Sequence, residues 1–211
     1  MKVIVFGASG AIGKALVSQA RERGHSVTAF VRDPRSISAT EGVKVVIGDA
    51  RDPTAVNAAI VGQEAVLAAL GSRTLGWSDL LEHSAGNIIA AMDRNHVRRL
   101  VILGAAGALH DAAKHQSALG RTFLRLLMRT LLRNVARDQA AQERQVEASG
   151  LDYTIVRPPY LTNAPATGRY RVALDGLPAR WKPISRADAA AFMVSQMDDA
   201  TFVRRGPYLA T

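Results

Sequence analysis

The chain has 211 residues, of which 48% are apolar, enough to bury a full core within one domain. It contains no cysteine, which excludes disulfides, thiolate nucleophiles and thiolate-bound zinc, and its five histidines (25, 83, 96, 110 and 115) include no i,i+4 pair, so no metal site is expected. A formal net charge of +9 marks a protein that attracts anions; phosphorylated cofactors, acidic substrates and nucleic acid all fit that charge.

Residues Lys2-Val3-Ile4-Val5-Phe6 read as a buried strand. It runs into Gly7-Ala8-Ser9-Gly10-Ala11-Ile12-Gly13, then into a helical stretch from Lys14 to Arg23 that ends at Gly24. Strand, glycine-punctuated turn and helix in that order make a site for a dinucleotide pyrophosphate. Gly7 permits the sharp turn, Gly10 lets the backbone approach the phosphates, and Gly13 lets the helix pack close to the strand. The helix N-terminus adds N–H groups and a partial positive charge. Gly7, Ser9, Gly10, Ala11, Ile12 and Gly13 are therefore candidate cofactor contacts.

Further apolar runs follow at Val27–Val31, Lys44–Ile47, Ala65–Ala69, Leu100–Leu103 and Tyr153–Val156, as expected of parallel strands covered on both faces. Between them, Asp52-Pro53 opens one helix, and Ser78 is expected to cap another that carries Leu81, Ala85, Ile88 and Met92 on one face. The alternation predicts an α/β fold, a doubly wound parallel (Rossmann) sheet forming a single domain over 1–211, with ligands above the carboxyl ends of the strands. After the sixth strand the pattern relaxes. Arg169 to Leu174 alternates like a half-exposed strand, Ser185-Arg186-Ala187-Asp188 resembles a capping box, and residues from about 158 to 211 are expected to form a small substrate-side cap.

The end of the second strand selects the cofactor: an acidic residue there bonds a ribose hydroxyl, whereas arginine accommodates a 2′-phosphate. Arg32 and Arg35 favour NADP over NAD; the competing reading makes them solvated cations and Asp33 the working residue, although Asp33 before Pro34 looks like a turn former. Asp49 and Ala50 follow the third strand, where adenine would dock. Leu70, Gly71 and Arg73 follow the fourth, where the loop would close over the cofactor. A first strand beginning at Lys2 leaves no room for a signal peptide, and no apolar run is long enough to cross a bilayer, so a cytoplasmic protein without an integral membrane segment is expected.

Together, Gly7 to Gly13, Val31-Arg32-Asp33, Val46-Ile47-Gly48-Asp49, Leu70-Gly71-Ser72-Arg73, Ser149-Gly150-Leu151-Asp152-Tyr153-Thr154 and Arg157-Pro158-Pro159-Tyr160 resemble an atypical short-chain dehydrogenase/reductase. The resemblance is to the branch containing NADPH-dependent flavin reductase, also called biliverdin reductase B, with NmrA-like proteins as neighbours. It implies that Gly104, Ala105, Pro158, Tyr160 and Leu161 flank the nicotinamide. Two departures matter: no tyrosine is followed by lysine four places on, and the loop Gly104-Ala105-Ala106 carries no hydroxyl. A flavin such as FMN, a quinone or a linear tetrapyrrole accepts hydride into an extended π system and needs no such acid. Tyr160 is the candidate catalytic residue, by stacking on a planar acceptor or by donating its proton; it is otherwise a wall residue. The implied activity is NADPH-dependent reduction of such an acceptor. An NADP-sensing regulator without chemistry is the alternative, and a nucleotide-sugar epimerase a third.

Between Asp111 and Asp138 no residue is acidic, while Arg121, Arg125, Arg129, Arg133 and Arg137 recur every fourth position. As one basic helix over about 115–137, the stretch is either a solvated face or a lid whose Arg121 and Arg125 hold the anionic groups of the acceptor. Membrane-surface attachment remains a further reading, and nucleic acid is not expected as a partner.

Overall fold

In β1 (Lys2–Phe6) alternate side chains divide between the two faces of the sheet, and the rest of the core is arranged around that division. Val3 and Val5 pack with α1 (Ala11–Glu22) and α6 (Arg186–Ser195), whereas Ile4 and Phe6 pack with α2 (Pro53–Ile60), α3 (Leu80–Arg94) and Val146 of α5 (Arg133–Ala148). The computed structural model describes residues 1–37, 42–71, 76–106 and 114–211, without the side chains of 123–125 and 128–129.

Beside β1 lie β2 (Ser26–Val31), β3 (Val43–Ile47), β4 (Ala65–Ala68), β5 (Arg99–Leu103) and β6 (Asp152–Val156), in the order β3-β2-β1-β4-β5-β6, every pair parallel. This is the doubly wound sheet the sequence predicts. Its order reverses between β1 and β4, the point above which such sheets bind ligands.

Three expectations are corrected. The arginine stripe does not form one helix: it is divided between α4 (Ala118–Arg129) and α5, with Thr130 at the break, where its hydroxyl donates to Leu126 O at 2.8 Å. The reason lies in α5, whose buried Asp138, Gln139, Gln142, Glu143 and Val146 require it to lie against the sheet while α4 stands outside. Ser78 does not cap α3 either. It accepts Leu80 N–H, and the Leu81 and Glu82 amides donate to Asp138 of α5 at 3.2 and 3.0 Å. The cap expected over 158–211 also divides, because α6 completes the core layer against α1.

Outside the main sheet, β7 (Leu161–Thr162) pairs with β9 (Ile184–Ser185), and β8 (Arg171–Ala173) with β10 (Tyr208–Ala210). The segment leading into β10 also runs along β6: Ile155 and Arg157 donate to Arg205 O and Pro207 O, and Leu209 donates back to Arg157 O. The open edge of the sheet is thereby covered.

Asp188 ties the 167–168 loop to α6. Its carboxylate accepts the backbone amides of Thr167 and Gly168 and the hydroxyls of Thr167 and Ser185. Burial works to raise the Asp188 pKa, but these donors outweigh it and hold the carboxyl below its ordinary range. A group with a depressed folded pKa stabilises above its unfolded pKa and loses that contribution as pH falls through the folded one. Asp188→Ala is expected to lower stability by about 2–4 kcal/mol at neutral pH in urea unfolding, the difference from wild type narrowing only below the ordinary carboxylate range.

Candidate functional site

Backbone geometry at the end of β1 shapes the site. Gly7 has φ +77°, and a Cβ there would lie 2.5 Å from Ala69 O. At Gly13, in the first turn of α1, a Cβ would lie 2.0 Å from Gly7 O and 2.7 Å from Ala8 Cα. The helix therefore rests directly on the turn that precedes it. Gly10 donates to Gly7 O at 3.0 Å and brings no side-chain cap to α1, so nothing from the N-cap competes for the amides of Ala11, Ile12 and Gly13.

The cleft above this turn is assembled from the carboxyl ends of four strands. The first crossover contributes Gly7, Ser9 and Gly10; β2 contributes Phe30, Val31 and Arg32; β3 is followed by Gly48, Asp49 and Ala50; β4 is followed by Ala69, Leu70 and Gly71. Leu80 closes it from α3. Two helix N-termini thus meet the cleft and differ in state: the α3 amides are taken by Asp138, and only α1 keeps its own for an anion.

At the β2 end the three charged residues separate. Asp33 accepts from the Arg35 backbone and receives its Nε and Nη2 at 3.1 Å each, and the Arg35 side-chain bond, then its backbone bond, hold the Asp33 carboxyl below the usual range. Arg32 alone of the three lines the cleft. Asp49 lines it too, with one carboxylate oxygen accepting Arg51 N–H at 2.9 Å.

Gly104, Ala105, Pro158, Tyr160 and Leu161 stand farther along the same edge, beyond β5 and β6, and do not line this cleft. Two bonds tie these loops together: Gly104 N–H donates to Val156 O and Ala106 N–H to Pro158 O. Tyr160 is 66% exposed. Arg121 sits on the exposed side of α4, whereas Arg73 and the Arg125 side chain lie outside the described residues.

Beneath the β5 loop is a group of residues that sequence reasoning missed. Glu143, buried in α5, accepts Arg157 Nε–H at 2.8 Å, pairs with its Nη2 at 2.8 Å and faces the Ala105 amide at 3.4 Å. Arg157 also reaches Glu147 at 3.0 Å and Gly206 O at 3.1 Å. Gly104 leaves the room: a Cβ there would lie 2.5 Å from Glu143 Oε1. Burial pushes the Glu143 carboxyl up, opposed by Arg157; burial also opposes the Arg157 charge, but Glu143 outweighs it and the guanidinium is held more firmly protonated. Gln139 and Gln142 both donate to Leu103 O. A signal was present: polar residues at 138, 139, 142 and 143 precede Val146 at the spacing of one buried helix face. Among the described residues no group of three or more His, Cys, Asp or Glu could hold a metal.

The sequence matches the family described as NAD(P)H-binding over residues 7–200. YhfK of Bacillus subtilis (strain 168), described as an uncharacterised sugar epimerase, is 31% identical over 207 residues, 94% of this chain and 89% of its own. Among solved structures, a short-chain dehydrogenase/reductase of the wide type from Veillonella parvula DSM 2008, in complex with NADP, superposes with TM-score 0.79 at 20% identity, covering 100% of this chain and 94% of that one. A candidate NADH-flavin reductase from Streptococcus pneumoniae TIGR4 has TM-score 0.79 at 24% identity, covering 100% and 99%. Both likenesses are of fold.

Removing one partner of a buried ion pair leaves the other charge uncompensated. Glu143→Ala is expected to cost about 3–5 kcal/mol in denaturant unfolding, well above the cost of a surface substitution such as Glu147→Ala, at about 1 kcal/mol or less.

Proposed function

The chain belongs to the NAD(P)H-binding family, and from that premise we propose that it is an NADPH-dependent reductase that delivers hydride to a flavin or a similar planar conjugated acceptor. The residues present fit a dinucleotide. The turn at Gly7, the uncapped start of α1 at Gly10 and the glycine contact at Gly13 leave backbone amides and open space where a diphosphate would need them. The bound cofactor, when reduced, supplies the hydride.

Arg32 supports NADP over NAD. It is the cleft-lining cation at the end of β2, and the carboxylate that would compete for a ribose hydroxyl, Asp33, is already bonded to Arg35. Asp49, Ala50, Leu70 and Gly71 line the same cleft, which supports adenine meeting the first two and the last two covering the cofactor.

The single observation that carries the acceptor class is the lack of a proton donor of the usual kind: no Tyr-x-x-x-Lys in the sequence and no hydroxyl in Gly104-Ala105-Ala106. A carbonyl would lack its usual acid. An acceptor that spreads the incoming charge over a ring system needs mainly orientation, which the Glu143-braced loop and the exposed ring of Tyr160 are suited to give. The likeness to a candidate NADH-flavin reductase supports the same class. The epimerase description of YhfK is not carried over, because the missing pair weighs against epimerisation as well.

Incubation with NADPH and FMN is expected to bleach the NADPH absorbance band. Tight NADPH binding without turnover on flavins, quinones or tetrapyrroles would replace this reading with that of a cofactor-sensing regulator. Arg32→Glu is expected to weaken NADPH binding by roughly a hundredfold and NADH binding by only about twofold, measured by calorimetry, because it sets a carboxylate against the 2′-phosphate. Equal losses would refute the NADP assignment.

A further inference from the structure

Along α4 and into the break before α5, large apolar side chains stand exposed among the described residues. Leu119 is 85% exposed, Leu126 61% and Leu131 68%. Leu119 and Leu126 are two helical turns apart and share a face of α4, and Leu131 lies in the break before α5. Trp77, 61% exposed, has the guanidinium of Arg137 of α5 5.6 Å from its ring centre.

The same stretch is strongly cationic. From 112 to 137 the sequence has no acidic residue and five arginines at four-residue spacing, of which Arg121, Arg133 and Arg137 have described, exposed side chains. Solvation accounts for exposed arginines but not for three leucines and an indole left in water. A two-fold pairing of this face with a second copy would bring two acid-free arginine sets together. A nucleic acid would take the arginines and leave the leucines exposed.

An anionic bilayer surface satisfies both groups at once. Leucine side chains and an indole are stable at the boundary between headgroups and acyl chains, while guanidinium groups bind headgroup phosphates. Among the described residues no helix is long and apolar enough to cross a membrane, so attachment of this kind is peripheral.

We propose that α4, with the start of α5 and Trp77, is a docking surface for a bilayer that contains anionic phospholipid. Leu119, Leu126, Leu131 and Trp77 enter its headgroup layer, and Arg121, Arg133 and Arg137 bind its phosphates.

Sedimentation of the full chain with vesicles tests this. The protein is expected to pellet with mixed phosphatidylglycerol and phosphatidylcholine vesicles and to remain in solution with phosphatidylcholine alone. Raising the salt is expected to weaken binding without abolishing it. The double variant Leu119→Glu, Leu126→Glu alters only exposed positions, so its thermal midpoint should match wild type while vesicle affinity falls about tenfold or more. The mixed vesicles should shift the tryptophan emission to the blue, and Trp77→Phe should remove that shift although Trp181 remains. Absence of pelleting with the mixed vesicles at low salt would overturn the proposal. So would pelleting that the double variant leaves unchanged, which the net charge alone would explain. A wild-type dimer that the double variant dissociates would assign the leucines to a self-interface instead, and displacement from the vesicles by duplex DNA would assign the arginines to nucleic acid.

Discussion

The contact of α1 with the turn before it, glycine backbone against glycine backbone, is the constraint on which the nucleotide-binding half of the molecule depends. With 2.0 Å between Gly7 O and the position of a Cβ on Gly13, no side chain fits, and the first turn of the helix rests directly on main-chain atoms. That position directs the first-turn amides of α1 and brings the ends of β2, β3 and β4 within one cleft. The sheet order supplies the rest, since the reversal between β1 and β4 opens the crevice where those ends meet.

The other half of the edge is organised differently. There the loops after β5 and β6 are braced from below by polar side chains of α5, a helix whose buried face carries Asp138, Gln139, Gln142 and Glu143. Asp138 satisfies the start of α3, the two glutamines hold the Leu103 carbonyl, and Glu143 joins Arg157 to the Ala105 amide. Such a face is stable only because each group has a partner. It holds Gly104 to Ala106, which carry no polar side chain of their own.

The nucleotide half was legible in the sequence because its signals are local: a strand, three glycines and a helix within thirteen residues, followed by regular alternation of apolar runs and helical stretches. Asp33 was readable as a turn former for the same reason, its partner being two residues away. The braced half depends on distant pairs. Asp138 meets Leu81 across 57 positions, and Glu143 meets Ala105 across 38. The even spacing of five arginines also concealed a helix break, since the periodicity of the exposed face continues across Thr130 while the buried face changes from one helix to the next. The division of the C-terminal region between α6 and short strands was not visible because Ala190, Phe192, Met193 and Val194 find their partners in α1 and β1, at the other end of the chain.

The segment that runs along β6 bears on the order in which the molecule assembles during synthesis. Arg157 bonds Gly206 O, stacks over Tyr208 and shares backbone bonds with Pro207 and Leu209. A nascent chain still lacking those residues already has every strand of the nucleotide-binding crevice, yet its Arg157 has only part of its final surroundings. The strands that carry the cleft are therefore made before the segment that completes the surroundings of Arg157.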